Sequence, residues 1–294
     1  NSLFRLKKPY TFKKYQKHLK ENKLKDFDDL MIDFLTFQKT DQKISYRYIF
    51  IDEFQDTNPL QFLILKSLIS KNTFTMAVGD PDQSIYAFRG AKDALIQTYI
   101  QTFHAKCYLL DTNYRSTKEI LNVANRLISK NHTLYKKTLK PNQTSKGHIF
   151  LKTFKDVNEE NTYILNTIRE KLKNHVKAHH IAIIYRNHFR SNSIKYELVN
   201  QNISIAFDQM KQHHINLISM HQSKGLEFEV VFIIGLEHQM IPSIHTATAK
   251  EVKEERRLLF VAITRAKRTC ILTYCKRNED DFYQKPSMFI KECF

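Results

Sequence analysis

Short apolar runs alternate with polar breaks and amphipathic stretches along most of this chain. The runs are rich in β-branched and aromatic residues, and several are apolar at nearly every position, a pattern typical of parallel strands covered on both faces. We predict strands at residues 48–51, 74–78, 107–110, 149–154, 181–185, 215–220, 230–234 and 270–274.

Helical spacing appears between these runs. Asn58 followed by Pro59 predicts an N-cap and a first helical residue. The sequence Ser116-Thr117-Lys118-Glu119 predicts a capping box, and apolar spacing predicts helices near residues 164–172 and 258–262. Strands that alternate with helices favour an α/β fold with a parallel sheet. The most favourable domain boundary lies near residue 111, although no linker of Gly and Pro marks it.

Charge is concentrated in two windows. The chain of 294 residues has 47 Lys and Arg against 30 Asp and Glu, a net charge of +17. Residues 1–25 carry nine basic residues and one acid, and residues 126–155 carry eight basic residues and no acid. Such runs indicate a polyanionic partner, nucleic acid before membrane, or a solvated basic face that serves solubility alone.

Composition excludes several classes of protein. No apolar run approaches the ~20 residues that span a bilayer. The four cysteines, Cys107, Cys270, Cys275 and Cys293, have neither disulfide-scaffold nor zinc-site spacing, which suits a reducing cytoplasm. No Gly-Lys dipeptide occurs, so this sequence contains no phosphate-binding loop of the Gly-x-x-x-x-Gly-Lys-Ser/Thr type.

The sharpest local pattern is the apolar run 48–51 followed by Asp52 and Glu53. In nucleotide hydrolases an acid at the carboxyl edge of a parallel sheet holds Mg²⁺, and a second acid orients or deprotonates the attacking water. The alternative is an acidic turn that only caps the next helix. This pattern alone does not decide between the two.

A second polar segment follows the next predicted strand. Gln83 has an amide suited to sensing a γ-phosphate, and Tyr86 and Phe88, beside Arg89, form a possible stacking platform for single-stranded bases. The alternative is a turn whose aromatic residues close a core.

Together with later segments, these stretches resemble superfamily 1 DNA helicases of the UvrD/Rep/PcrA type. The resemblance runs from about residue 26 to the end, with five long motifs in the family's order. Segments similar to motifs II, III, IV, V and VI lie at residues 52–57, 79–91, 113–117, 218–228 and 254–266. The resemblance implies RecA-like parallel sheets flanked by helices. Residues 1–110 would be the C-terminal part of a first motor domain, with the end of its helical insertion at 1–45. Residues 111–294 would form a complete second motor domain.

The resemblance also implies roles for residues that act on ATP. Asp52 would hold Mg²⁺, Glu53 would act as base and Gln83 would sense the γ-phosphate. Arg115 and Arg265 would be two arginine fingers, because a guanidinium stays charged and matches phosphate oxygens. Tyr114 would stack on adenine, and Glu227 and Gly225 would bind the nucleotide. The alternatives are a surface ion pair for Arg115 and a helix-end cation for Arg265.

The resemblance implies a DNA track as well. Tyr86, Phe88, Arg89, His221 and Lys224 would line a path for single-stranded or junction DNA. The implied activity is ATP-dependent 3′→5′ movement on single-stranded DNA, as a helicase or translocase in the cytoplasm and without a membrane partner. The alternative is a non-catalytic nucleic-acid-binding or regulatory protein derived from a helicase.

The sequence departs from the family in three places. The phosphate-binding loop is missing, so we expect the chain alone not to hydrolyse ATP and to be the C-terminal portion of a longer helicase. Only a short connection joins residues 203–207 to 215–218, where the family has a large accessory insertion. Phe88 stands where the family often has Trp.

Other candidate residues carry less weight. The pairs His179-His180 and His213-His214 lack a spaced third ligand, and we interpret them as ordinary histidines. Residues 26–30 resemble the family segment that precedes motif II. The acids Asp26, Asp28 and Asp29 can equally cap a helix, and we interpret them as structural.

Overall fold

The computed structural model describes residues 9–40, 43–91, 94–131 and 137–294, without the side chains of Pro9, Tyr10 and Arg89. The chain divides into two units. The first comprises Asn1–Asp80 and Tyr86–Cys107, and the second comprises Pro81–Ile85 and Tyr108–Phe294. No helix among the described residues is long and apolar enough to cross a membrane.

The first unit is a small parallel sheet with helices on one side. Its elements are α1 (Pro9–Glu21), α2 (Phe27–Phe37), β1 (Tyr48–Ile51), α3 (Pro59–Leu68), β2 (Phe74–Ala77) and α4 (Ala94–Phe103). β1 pairs with β2, and Phe54, Phe62 and Tyr99 lie in the core beneath this sheet. The opposite face of the sheet is apolar and exposed, and Phe50 and Phe74 are 69% and 54% accessible.

The second unit is built on six parallel strands. Its helices are α5 (Lys118–Ile128), α6 (Val157–Lys173), α7 (His188–Asn200), α8 (Ala249–Ile263) and α9 (Ile290–Cys293). Its strands are β3 (Thr112–Asn113), β4 (Lys140–Pro141), β5 (His148–Phe154), β6 (Ile181–Tyr185), β7 (Ile205–Phe207), β8 (Ile215–Ser219), β9 (Phe228–Ile234) and β10 (Ala266–Cys275). The large sheet has the order β5-β10-β9-β6-β8-β7, and β3 and β4 form a separate parallel pair.

The central strands of the large sheet are buried almost completely. Ile183 of β6 lies between Phe232 of β9 and Leu217 of β8, and all three side chains are inaccessible to solvent. Helices α6 and α7 pack on this sheet through Ile164, Ile168, Ile194 and Leu198. Continuous apolar runs therefore mark buried parallel strands here, as the sequence pattern predicts.

Most predicted elements are confirmed. The α/β class and the parallel pairing are as predicted, and seven of the eight predicted strands coincide with observed ones within a few residues. Asn58 caps α3 with Pro59 at its first position, and Asp26 caps α2 through a capping box with Asp29. The described part of the first basic window contains the helix α1.

Two local predictions are wrong. Residues 107–110 form no strand, and Tyr108 and Leu110 are 77% and 82% exposed. An apolar run forms a strand only where a neighbouring strand pairs with it, and no described residue does so here. The capping box at Ser116 is also absent. The helix begins one residue later, with Thr117 as an N-cap that makes no side-chain cap, and the Ser116 hydroxyl donates to Ala266 O at 2.7 Å.

A buried ionic cluster ties helices to strand ends in the second unit. The Arg190 guanidinium donates to Glu160 at 2.7 Å and to Glu237 at 3.1 Å, and all three side chains are at most 7% exposed. Burial opposes the charge on Arg190, but the two carboxylates raise its pKa. Burial raises the pKa of Glu160, and Arg190 opposes that shift. Gly235, at φ +82°, leaves room for the Arg190 stem, since a Cβ there would lie 2.8 Å from its Cγ.

Replacing Arg190 by Met would leave two carboxylates buried without their cation. We expect the free energy of unfolding to fall by about 3–5 kcal/mol, measured by urea denaturation. Arg169→Met is the matched control, because Arg169 is exposed and donates to the uncharged Gln201 Oε1 at 2.6 Å. A loss below about 1 kcal/mol in Arg190→Met would contradict this account.

Candidate functional site

The acidic pair of the first unit stands at the carboxyl end of β1. Asp52 follows the last strand residue, and its Oδ1 accepts a hydrogen bond from Glu53 N at 2.8 Å. Both carboxylates are exposed. Glu53 has φ 50°, a left-handed conformation that is uncommon for residues other than glycine. The structure therefore places both acids at the sheet edge where α/β proteins bind ligands.

Oxygen donors at this edge suit a magnesium ion. Mg²⁺ is usually held by one or two carboxylates together with substrate phosphates. The Glu53 amide donates to Asp52 Oδ1 and not to Oδ2. Asp52 therefore fits the role of metal ligand that the sequence predicts.

Gln55 joins the acidic loop to the end of β2. Its side chain is 1% exposed, its amide nitrogen donates to Glu53 Oε2, and its amide oxygen accepts from Asp80 N at 2.8 Å. The neighbouring Phe54 is buried against Tyr99, with ring centroids 5.0 Å apart. Sequence reasoning missed Gln55, although its place two residues after Glu53 was the available signal.

The aromatic pair lies in the part of the first unit that follows residue 85. Tyr86 and Phe88 are 5.9 Å apart between ring centroids, edge to face, and Phe88 is 59% exposed. Phe88 lies in the 3₁₀ turn Ala87–Arg89, which Gly90 ends at φ +88°. An exposed ring is available for stacking. The side chain of Arg89, also predicted to contact DNA, lies outside the described residues.

Gln83 belongs to the second unit. It lies in the 3₁₀ turn Pro81–Gln83, and its carbonyl oxygen accepts a hydrogen bond from Lys224 Nζ at 3.2 Å. The sequence grouped Gln83 with Asp52 and Glu53, whereas the structure assigns residues 81–85 to the unit that contains Lys224. Two residues with different predicted tasks, phosphate sensing and DNA contact, are therefore hydrogen-bonded to each other.

A polar cavity of about 530 Å³ lies in the second unit. Three predicted site residues line it, namely Tyr114, Arg115 and Glu227. Asn113 Oδ1 accepts hydrogen bonds from the backbone N–H groups of Arg115 and Ser116, which shapes the turn after β3. Tyr114 lies in this turn, and its ring is 68% exposed to solvent. The structure thus brings together side chains that are 112 positions apart in sequence.

Oppositely charged side chains that line this cavity form ion pairs. Glu227 Oε2 lies 2.9 Å from Arg115 Nε, and Glu227 Oε1 lies 2.6 Å from Lys267 Nζ. Lys267, and after it Arg115, hold the pKa of the Glu227 carboxyl below its ordinary value of 4.5. Glu227 is therefore an anion that accepts hydrogen bonds, and it fixes the direction of the Arg115 guanidinium.

Arg265 is not among the residues that line the cavity. Its side chain is 2% exposed, and its guanidinium donates to Val261 O at 2.9 Å and to Leu226 O at 3.2 Å. The guanidinium thus holds the chain between Gly225 and β9, since Leu226 directly precedes Glu227. Gly225 itself has φ +81° and open space around it, so its backbone conformation is what favours glycine there.

The remaining predicted DNA contacts lie in the turn after β8. His221 and Lys224 are partly exposed, and the Lys224 amide donates to His221 O at 3.3 Å. Ser223 between them is buried, with its hydroxyl bonded to Met220 O at 2.7 Å. Neither His221 nor Lys224 lines the cavity that holds Glu227.

Sequence reasoning missed two further cavity residues. Lys267 pairs with Glu227, and the signal for it was its place two residues after Arg265. Gln143 donates to Tyr114 O at 2.8 Å, and no pattern in the sequence marks it. Both hold predicted ligand-binding groups in place.

The paired histidines do not form a metal centre in the described part of the chain. His179 and His180 lie in a 3₁₀ turn rather than on a strand. The one group of potential ligands among the described residues is Glu160, Glu237 and Cys275, and Arg190 already neutralises its carboxylates.

Two families match this chain. Residues 5–104 match the UvrD/REP helicase N-terminal domain, and residues 108–213 and 205–277 match the UvrD-like helicase C-terminal domain. These matches cover most of the sequence, and the chain belongs to the UvrD-like helicase family.

Curated relatives are longer than this chain. A probable DNA helicase of Mycoplasma pneumoniae is 30% identical over 304 residues, covering 99% of this chain and 56% of that protein. A probable DNA helicase II homolog of Mycoplasma capricolum is 36% identical, covering 65% of this chain and 28% of that protein. The ATP-dependent DNA helicase PcrA of Staphylococcus epidermidis is 33% identical, covering 65% and 27%. The chain thus spans about half of the first relative and less than a third of the other two.

Replacing Glu227 by Gln tests the ion pairs that Glu227 makes with Arg115 and Lys267 in the cavity. A lowered folded-state pKa means that Glu227 stabilises the fold above its ordinary value of 4.5 and that this contribution is lost as the pH falls through the lower folded value. We expect the variant to lose up to about 1 kcal/mol near neutral pH, because the carboxylate is 46% exposed.

The measurement is urea denaturation of Glu227→Gln and the wild type at neutral pH and at about pH 3.5. The stability difference should shrink at the lower pH. Glu229→Gln is the control, because that carboxylate only approaches Arg268 at 3.7 Å. A difference for Glu227→Gln that is equal at both pH values would contradict the ionic account.

Proposed function

We propose that this chain is part of an ATP-dependent DNA helicase or translocase. Residues 111–294 would form its second RecA-like motor domain and residues 1–110 the later part of its first. The observation that carries the proposal is the cavity of the second unit, because it gathers an exposed aromatic ring, a carboxylate and a guanidinium. A nucleotide presents a base, hydroxyl groups and phosphates to these three groups.

The cavity residues have complementary tasks. Tyr114 stacks on adenine through its exposed ring, and Glu227 accepts hydrogen bonds from the ribose hydroxyls. Arg115 keeps its position through Glu227 and offers its remaining N–H groups to phosphate oxygens. Gly225 allows the turn that leads the chain to Glu227.

Asp52 and Glu53 of the first unit supply the metal ligand and the base for hydrolysis. Asp52 holds Mg²⁺, which neutralises charge on the phosphates when it is bound, and Glu53 orients and deprotonates water. Gln83 senses the γ-phosphate. Arg115 and Arg265 complement the negative charge on the transferred phosphoryl group. Arg265 is bonded to backbone carbonyls, so this role requires it to exchange those partners for phosphate oxygens.

The DNA track combines stacking with backbone attraction. Tyr86 and Phe88 provide aromatic surfaces, and Arg89, His221 and Lys224 provide polar contacts to the strand. The two basic windows attract the phosphate backbone. The family resemblance supports 3′→5′ movement on single-stranded or junction DNA in the cytoplasm.

Hydrolysis needs a phosphate-binding loop that this sequence does not contain, so the chain alone is inactive in this proposal. The exposed apolar face of β1 and β2 supports a first domain in which further chain covers this face, since parallel sheets are normally covered on both faces. The short connection from β7 to β8 likewise supports a motor without the large accessory insertion.

ATP hydrolysis by a full-length protein that carries the loop tests the motor. We expect hydrolysis in the presence of Mg²⁺ to be stimulated by single-stranded DNA. Arg115→Ala and Arg265→Ala should each lower kcat by about 10³-fold and spare DNA binding. Arg169→Ala, on an exposed helical position of the same unit, is the control. An inactive wild-type protein would favour the non-catalytic nucleic-acid-binding alternative.

DNA binding by the 294-residue chain tests the basic windows. Its affinity for a single-stranded oligonucleotide should fall steeply with salt, with a slope of about −0.7 for each phosphate neutralised. Phe88→Ala should cost about 1–3 kcal/mol of binding free energy with little change in that slope, because it removes stacking and no charge. Fluorescence anisotropy at several salt concentrations gives both quantities. Salt-insensitive binding would overturn the prediction.

A further inference from the structure

The Gln55 side chain is enclosed between two loops of the first unit. It is 1% exposed, and both ends of its amide are used. The nitrogen donates to Glu53 Oε2, and the oxygen accepts from Asp80 N at 2.8 Å. Asp80 begins the segment that leads to Gln83. One side chain therefore joins the acidic loop to the start of the second polar loop.

The chemistry of this position favours an amide. A carboxylate there would accept from Asp80 but would offer the Glu53 carboxylate no hydrogen, and the two negative charges would repel. A thioether of similar length would leave the partly buried Asp80 N–H without this acceptor. Asparagine is one methylene shorter and would not span both partners. Only glutamine among the ordinary uncharged side chains has this length with a donor and an acceptor at its end.

Gly79 leaves room for the amide. A Cβ at this position would lie 2.7 Å from Gln55 Oε1 and 3.2 Å from the backbone nitrogen of Phe54. The two loops therefore approach more closely than any larger residue would allow. This closeness is what brings Asp80 N within hydrogen-bond reach of Gln55.

The backbone of Glu53 does not fix its own side chain. Glu53 precedes the 3₁₀ turn Phe54–Asp56 at φ 50° and ψ 38°, and its side chain makes no capping hydrogen bond there. Its carboxylate is exposed, and an exposed glutamate has several accessible rotamers. The hydrogen bond from Gln55 restricts these rotamers from a buried and therefore rigid support.

We propose that Gln55 is a positioning residue that orients the Glu53 carboxylate toward the attacking water and fixes the chain at Asp80. This inference rests on the proposed role of Glu53 as base. Reactions of this kind are sensitive to misplacement of about 1 Å, which can cost about 10²-fold in rate. Gln55 acts on the rate through Glu53 and contacts no substrate itself.

A double-mutant cycle in the full-length protein separates positioning from general support of the fold. Gln55→Met should lower kcat by about 10–100-fold with little change in KM for ATP. In a Glu53→Gln background the same substitution should change the residual kcat by less than about twofold, because the group it positions is gone. Gln101→Met, on an exposed position of α4, is the matched control.

Amide hydrogen exchange in the 294-residue chain tests the contact without nucleotide. The Asp80 amide should exchange at least about tenfold faster in Gln55→Met, because its acceptor is removed. The Phe54 amide, which donates to Val78 O at 2.9 Å, reports whether the surrounding loop stays folded and should keep its protection. Gln101→Met should alter neither amide.

The outcomes separate this inference from the proposed function. An equal fall of kcat in both backgrounds, no fall at all, or unchanged exchange at Asp80 would overturn the role of Gln55. A wild-type full-length protein that hydrolyses no ATP would overturn the proposed function, and the exchange measurement would still decide whether Gln55 holds Asp80.

Discussion

Burial of parallel strands on both faces is the constraint on which the second unit depends. Ile183, Leu217 and Phe232 have no access to solvent, so the middle of the sheet offers no polar group to a ligand. Polar side chains are left to the strand ends and the turns beside them. Glu227 stands immediately before β9 and Lys267 lies at the start of β10, and the cavity forms where these ends meet the turn after β3. The packing that excludes polar side chains from the interior thus leaves them to the strand ends, with Glu227 and Lys267 at the amino ends of β9 and β10.

The first unit reaches the same result with a much smaller core. Phe54 is the buried aromatic residue of the loop after β1, and its contact with Tyr99 anchors the chain between Glu53 and Gln55. Phe54 is buried between Glu53, which is exposed, and Gln55, which is buried. Glu53 can therefore face solvent while the Gln55 amide donates a hydrogen bond to its carboxylate. The backbone strain at Glu53 fits this arrangement, because residues in uncommon conformations persist only where their surroundings hold them.

Periodicity predicted the parallel sheet because an apolar run with β-branched residues is what a doubly covered strand requires. It failed at residues 107–110, where the same composition finds no pairing strand among the described residues. The capping pattern at Ser116 failed because the helix begins one residue later, at the N-cap Thr117, while the Ser116 hydroxyl bonds Ala266 O, 150 positions away. The motifs predicted the meeting of Tyr114, Arg115 and Glu227, whereas Lys267 and Gln55 act through long-range or buried contacts that local patterns do not contain. The burial of Arg265 could not be predicted from the sequence either, since a motif gives the identity of a residue and not its exposure to solvent.

We propose that the cavity of the second unit receives ATP. The most direct measurement is a structure of the full-length protein with single-stranded DNA and a non-hydrolysable ATP analogue. We predict that the adenine ring stacks on Tyr114 and that a Glu227 carboxylate oxygen lies within about 3 Å of a ribose hydroxyl. A nucleotide bound elsewhere, with the Arg115–Glu227 ion pair unchanged and the cavity empty, would contradict the account.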